Sequence, residues 1–243
     1  MKLTTLEVKI DIGGKLETIH PVLIQTKDKN YLVDCGYEET FESLQHQLQL
    51  HGVSINDVTG VIITHDDIDH LGGLKPIKAH NNVTVYCSDI EKDSVSGTIK
   101  SERLVQAEAS LDKIPAEYRT WALDFIAQLK GIQRYKVDHV LKGNDLFERE
   151  ILIVNTPGHT KGHISLLFQK EGTLIAGDAM VIDDNGDLDI ANPQFTLDLD
   201  SALISIEKIK SLKPKKIICY HGGIIEAEID KKLDGLLQKY KAV

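Results

Sequence analysis

An apolar run, Val61-Ile62-Ile63, stops abruptly at Thr64-His65-Asp66-Asp67-Ile68-Asp69-His70-Leu71-Gly72-Gly73, and this junction constrains the chain more than any other stretch. The run reads as a buried strand, so the polar cluster sits where that strand ends. Two histidines and three aspartates fall within residues 65–70, more metal-binding and charged groups than a loop needs for solubility. Gly72-Gly73 predicts a tight turn behind them. Neutral imidazole and carboxylate oxygen suit zinc, manganese or iron, and the string holds no thiolate. Taken alone, such a string is also compatible with a solvated turn.

Three later segments repeat the arrangement. Ile151-Leu152-Ile153-Val154 leads to Thr156-Pro157-Gly158-His159-Thr160, Thr173-Leu174-Ile175-Ala176 leads to Gly177-Asp178, and Ile217-Ile218-Cys219-Tyr220 leads to His221-Gly222-Gly223. Strands that deliver His or Asp at their C-terminal ends are how an open sheet builds one shared site at one edge.

In their order these motifs resemble the metallo-β-lactamase-fold hydrolase superfamily, whose pattern is a His-x-His-x-Asp-His string, a later single histidine, a bridging aspartate and a final histidine. The match runs from Asp34-Cys35-Gly36, similar to the family's first, structural Asp-x-Gly motif, to His221, and so covers nearly the whole chain. The resemblance implies an α/β fold, an αββα sandwich of two mixed β-sheets with helices on the outer faces. It also implies two divalent metal ions, the first held by His65, Asp67 and His159, the second by Asp69, His70 and His221, with Asp178 bridging both. One position departs from the pattern: Asp67 stands where the family has its second histidine. A carboxylate there makes the site harder and more negative, which shifts preference toward manganese or iron without excluding zinc, and zinc remains the first expectation.

The chemistry that follows from the resemblance is hydrolysis. Two metals about 3.5 to 4 Å apart share a water and give hydroxide near neutral pH, and that metal-bridging hydroxide is the expected nucleophile. Asp69 is the expected catalytic carboxylate, passing a proton from nucleophile to leaving group, provided the crowded acids raise its pKa. Asp66 is a weaker candidate, for a hydrogen-bonding role. Tyr220 could steady an oxyanion, but alternation along a strand turns it away from its neighbour's side. His163 is either support behind the ligands, a substrate contact or a structural histidine.

Chain size and the Gly158-His159-Thr160-Lys161-Gly162-His163 string resemble the lactonase and glyoxalase II-like branches. The expected substrate is therefore a small ester, thioester, lactone or phosphodiester. Two alternatives are an iron-dependent redox enzyme of the same fold, persulfide dioxygenase-like, and a non-catalytic metal-binding protein. The diiron flavoproteins of the superfamily carry a glutamate where Asp67 stands, but the chain has no room for a flavin domain. A nuclease is disfavoured by charge: 37 acidic against 28 basic residues give −9, the opposite of a basic footprint.

Cys35, Cys87 and Cys219 each lie beside an apolar strand pattern and read as small buried hydrophobes in a reducing compartment. Neither a signal peptide nor a membrane-length apolar stretch is visible, so the cytoplasm, without membrane or nucleic acid as partner, is the expectation. The oligomeric state is left at monomer or homodimer.

Periodicity organises the rest as one domain over residues 1–243. Residues 3–10, 17–25 and 30–34 read as a β-meander, with a helix from Phe41 and a short one from Leu71 toward His80. Residues 88–135 form a helical insertion in which Tyr118, Trp121 and Phe125 share one helix face. Packing of that face on the sheet is the preferred reading, and an apolar wall over the site the sharper one. A hairpin is expected through Asn185-Gly186, a loop at the site mouth from Asn192 to Phe195, and helices over 198–212 and 224–240.

Overall fold

The structure is a computed structural model that describes residues 1–191 and 195–241, so Asn192, Pro193 and Gln194 of the expected mouth loop lie outside the described residues. The chain opens with β1 (Lys2–Thr5), the hairpin β2 (Val8–Ile12) and β3 (Lys15–Ile19), β4 (Val22–Gln25) and β5 (Asn30–Val33). Helix α1 (Phe41–Leu50), β6 (Val58–Ile62), α2 (Ile68–Leu71), α3 (Leu74–His80) and β7 (Thr84–Ser88) follow. Helices α4 (Lys92–Val95), α5 (Glu102–Ser110) and α6 (Arg119–Gly131) separate β7 from β8 (His139–Leu141). The second half runs β9 (Leu146–Phe147), β10 (Ile151–Asn155), β11 (Ile164–Phe168), β12 (Thr173–Gly177) and a small hairpin, β13 (Val181–Ile182) with β14 (Leu188–Asp189). It closes with α7 (Leu199–Ser211), β15 (Lys216–Cys219), β16 (Gly223–Ile225) and α8 (Ile229–Lys241).

Two six-stranded sheets result, ordered β1-β4-β5-β6-β7-β8 and β16-β15-β12-β11-β10-β9. Both are mixed, as expected: β5, β6, β7 and β8 pair in parallel in the first, and β12 with β15 in the second. Side-chain alternation sorts the strands into layers. Val22, Ile24, Tyr31, Val33 and Ile62 of the first sheet meet Ile153, Leu166, Ile175 and Ile218 of the second between the sheets. Their neighbours Leu23, Leu32, Val61 and Ile63 face outward onto Leu44 and Leu48 of α1 and Leu74 and Ile77 of α3. On the other side Leu174, Ala176, Ile217 and Cys219 pack against Ile206 and Ile209 of α7 and Leu233 and Leu236 of α8. This is the αββα sandwich.

Three expectations are corrected. The meander is broken at Leu6-Glu7 and His20-Pro21, because Pro21 has no N–H to give a ladder, and its carbonyl accepts from Leu6 N–H at 2.9 Å instead. β2 and β3 therefore form a ribbon of their own. The last helix begins at Ile229, and Gly223–Ile225 is an edge strand on β15. Ile225 lies in the same cluster as Ile229 and Leu233, so their four-residue spacing imitates one helical stripe. Finally, Tyr118 and Trp121 are 59% and 58% exposed and do not pack on the sheet. α6 buries the adjoining stripe, Ala122, Ile126 and Leu129, the last two against Leu104 of α5, with Phe125 at the edge of the same cluster.

Leu166 is fully buried mid-strand between the sheets and touches no site residue by sequence or register. Leu166→Ala should lower stability by about 2–5 kcal/mol, while Trp121→Ala should stay within about 0.5 kcal/mol. Denaturant midpoints check both, and equal effects would contradict the layer assignment.

Candidate metal centre

The ends of β6, β10, β12 and β15 meet at one end of the sandwich. The two sheets are tied together there, with Ile164 N–H donating to Thr64 O at 3.2 Å and His20 N–H to Tyr220 O at 2.9 Å. Beneath the ligand string lies Asp34, buried and at φ +58°, directly after β5. Its Oδ1 accepts from Thr64 N–H at 2.9 Å, and its Oδ2 accepts from Thr64 Oγ1 at 2.8 Å and from His70 Nδ1 at 2.9 Å. Thr64 Oγ1 in turn accepts from His65 Nδ1 at 3.0 Å. One carboxylate thus fixes two imidazoles with Nδ1 protonated and the Nε2 lone pair turned away from it.

Those lone pairs converge. Three overlapping groups, His65 with Asp67 and His159, His65 with His70 and Asp178, and Asp69 with His70 and His221, each bring one ligand atom per residue within 4.8 Å of the others. All seven residues expected from the sequence are in these groups. His159 Nε2 lies 3.0 Å from Asp67 Oδ2, and His221 Nε2 lies 3.1 Å from Asp69 Oδ2. Asp178 sits between the triads, 3.5 Å from His70 and His221 and 3.7 Å from His159. His65 Nε2, His70 Nε2 and Asp178 Oδ1 are buried without a hydrogen-bond partner among the described residues. Buried polar atoms this close together are costly unless a cation, a proton or a metal ion, is shared among them, and a donor set of imidazole and carboxylate alone fits a divalent metal.

The charge balance carries the same message. Burial alone would raise the Asp178 carboxyl, yet the His221 and His70 charges hold it well below the usual range. Burial likewise opposes protonation of His221, but Asp178 and the Asp69 hydrogen bond raise it to about 9. His70 is pushed well up, against its burial, by Asp69, Asp34 and Asp178.

The sequence matches the family described as the metallo-beta-lactamase superfamily over residues 16–221. The chain belongs to this superfamily. It is 25% identical over 203 residues to the probable metallo-hydrolase YflN of Bacillus subtilis, covering 79% of this chain and 74% of that one. It is 28% identical over 222 residues to a beta-lactamase-like protein 2 homolog of Drosophila melanogaster, covering 89% of this chain but 62% of the fly protein. Among solved structures, a metallo-beta-lactamase family protein of Thermus thermophilus superposes with a TM-score of 0.72 at 22% identity, over 99% of this chain and 79% of that chain. That likeness concerns the fold.

Within this superfamily fold, several residues do other work than expected. Gly72 and Gly73 are not a turn of unusual backbone, since both have ordinary right-handed helical angles. They are small because a Cβ on Gly73 would stand 2.1 Å from Cys35 O, and one on Gly72 2.6 Å from Ile68 O. The helix they join starts at Ile68, inside the ligand string, which puts Asp69 and His70 on its first turn. Asp69 does not have the raised pKa expected of a proton carrier: against its burial, His70 and His221 hold it below the usual range. Tyr220 packs on His70 at a tilt of 33° with ring centroids 4.0 Å apart and donates its hydroxyl to Asp69 O at 2.5 Å, a brace rather than an oxyanion donor. Asp66 turns away from the ligands to Arg134, 3.4 Å away. His163 is 1% exposed, beyond a substrate's reach. It donates from Nδ1 to Thr156 at 2.8 Å and accepts Asp178 N–H on Nε2 at 3.0 Å, which leaves room at Gly177 for no side chain.

Two residues of the insertion escaped the sequence reading. Arg103 of α5 is buried, with Nη2 2.9 Å from Asp67 Oδ2. Its charge, with His159 and His65, outweighs burial and holds Asp67 well below the usual range. Glu91 accepts from Thr160 Oγ1 at 2.5 Å and Gly162 N–H at 3.0 Å, bracing the loop that presents His159. Burial and the neighbouring Asp66 raise its carboxyl to about 8. In sequence both look like solvated residues of a polar helical stretch, and no local signal marks them.

Asp34→Asn keeps the shape but withdraws the charge behind His70, so metal affinity should fall about 10- to 100-fold. A calorimetric metal titration measures it, and unchanged affinity would remove Asp34 from its orienting role.

The metal-free protein should also show a signed pH response. His221, raised from 6.5 to about 9, contributes stability fully present below pH 6.5 and lost as pH rises through 9. Asp178, held well below 3.8, contributes stability present above that value and lost in acid. Thermal midpoints of chelator-treated protein should therefore fall from about pH 6.5 to about 9.5. Metal binding, which needs neutral imidazole, should reverse that slope. A flat midpoint without metal would contradict the His221–Asp178 pairing.

Proposed function

We propose that this chain is a dinuclear metal-dependent hydrolase of a small ester, thioester, lactone or phosphodiester. Its working unit is residues 1–243, with the insertion between β7 and β8 lying over the site. The observation that carries the reading is the set of buried atoms without a hydrogen-bond partner, His65 Nε2, His70 Nε2 and Asp178 Oδ1, where two His/Asp triads meet. His65, Asp67 and His159 are assigned to one metal, Asp69, His70 and His221 to the other, and Asp178 to both. Zinc is the first candidate, and the carboxylate of Asp67 keeps manganese and iron in view. Bound there, the metals would supply a water activated near neutral pH and an electrophile for the scissile carbonyl or phosphoryl oxygen.

The chain's own residues provide the positioning. Asp34 and Thr64 keep His65 and His70 in one tautomer. The Tyr220 hydroxyl fixes the backbone of Asp69 and with it the position of the carboxylate beside His221. Because His70 and His221 keep Asp69 deprotonated, it suits orienting the attacking water and taking its proton briefly better than storing one.

The entrance favours a small substrate with an apolar part. His221 is a third exposed, whereas His65 and His70 are sealed. Beside Arg103 lies Phe195, whose ring centroid is 5.2 Å from the guanidinium. Phe125 stands 6.4 Å from Phe195 and stacks on the exposed Trp121 at 5.6 Å, which makes an aromatic wall leading inward from solvent. The net charge of −9 argues against a nucleic-acid substrate. Cys35, Cys87 and Cys219, buried and unpaired, suit a reducing cytoplasm, and no helix among the described residues is long and apolar enough to cross a membrane.

Elemental analysis after reconstitution with zinc, manganese or iron, paired with hydrolysis assays on lactones, thioesters and phosphodiesters, tests the proposal. Two equivalents of zinc or manganese are expected, with binding and hydrolysis both lost in His159→Ala and Asp178→Ala. A single tightly held iron would move the assignment to the dioxygenase-type reaction. No metal under any condition would end the ligand assignment.

A further inference from the structure

Arg103 brings a fixed positive charge into the first ligand triad. Nη2 lies 2.9 Å from Asp67 Oδ2 and 3.3 Å from His159 Nε2, and Nε lies 3.3 Å from both Asp67 oxygens. The two atoms that a metal needs from Asp67 and His159 are thus already engaged. The guanidinium is held in this pose from behind, with Nη1 donating to Gln106 Oε1 at 2.7 Å and its plane beside the Phe195 ring. It cannot lose its proton or ligate a metal, so it can only compete with one. The second triad differs. Asp69 and Asp178 meet imidazoles, and no Lys or Arg among the described residues lies within ion-pair distance of either.

We propose that Arg103 is a built-in counter-cation of the first site, which makes the two sites unequal and fixes their order of filling. Metal enters at Asp69, His70 and His221 first. The triad of His65, Asp67 and His159 fills only as Arg103 gives up Asp67 Oδ2 and His159 Nε2. The chain is then a one-metal protein at low metal and a two-metal protein at high metal, with the insertion setting the threshold. This inference rests on the two-metal reading above.

The test is a calorimetric titration of the metal-free full-length protein with zinc(II), with bound zinc counted by elemental analysis after gel filtration. The wild type should show a tight step and a second step weaker by about 10- to 100-fold, the range expected for displacing a buried charge-assisted pair. Arg103→Met should tighten the second step by a similar factor and leave the first unchanged. Two equally tight steps in the wild type, or a second step unchanged or lost in Arg103→Met, would overturn the proposal. If circular dichroism shows Arg103→Met unfolded, Arg103→Lys and Gln106→Ala carry the test. The first replaces the bidentate fork with a single mobile ammonium and the second removes the support behind the guanidinium; each should tighten the second step several-fold, and no change in either would overturn the proposal. A wild type that binds no zinc removes the hydrolase reading as well, whereas two tight equivalents indifferent to Arg103 remove this inference alone.

Discussion

Four carboxylates, Asp34, Asp67, Asp69 and Asp178, are held largely out of water at one end of the sandwich among the imidazoles of His65, His70, His159, His163 and His221, and every other feature of that end answers to their charge. Buried anions persist only when hydrogen-bonded or paired. Asp34 is satisfied by hydrogen bonds from Thr64 and His70, and Asp67 by the Arg103 guanidinium. Asp69 and Asp178 have imidazoles alone, with unpartnered nitrogens beside them. Neutralisation is therefore graded across the site, complete at its base and incomplete where the two triads meet. The incomplete part is where a divalent cation has the most to gain.

The fold supplies the rigidity that this arrangement requires. Parallel strands β5 and β6 set Asp34 beside Thr64, and the loop after β5 is pressed against the ligand helix so closely that Gly73 has no room for a Cβ. Across the sandwich, β12 ends at Gly177, where His163 fills the space a side chain would take and holds the backbone of Asp178. These are packed contacts between elements distant in sequence. A change in the core therefore reaches the ligands through backbone position and leaves their chemistry intact.

The helices between β7 and β8 have two faces with different tasks. One buries Leu104, Ile126 and Leu129 in a small core that also touches Ile68 of the ligand string, and sends Arg103 to Asp67. The other leaves Tyr118 and Trp121 in solvent. Glu91, at the start of the same segment, braces the His159 loop. The segment is thus continuous with the candidate site on one side and open to solvent on the other.

The sequence by itself determined which candidate ligand types the strands deliver and in what order, because an apolar run that ends in His or Asp is a local pattern, while the layered architecture followed from the resemblance of those motifs to the superfamily. It did not determine Arg103, which lies 36 residues beyond Asp67 on a polar helical stretch whose periodicity says which face is apolar and nothing about what the other face meets. Nor did it determine Glu91, the close approach at Gly73 or the lowered pKa of Asp69, each of which depends on a group brought near by the chain's folding back on itself. The expected packing of the aromatic face of α6 on the sheet fails for the same reason. Two stripes of that helix are apolar enough to be buried, and only the position of Leu104 on the neighbouring helix decided between them. Local pattern fixes what each segment offers, and electrostatics and packing between segments fix what each offer is used for.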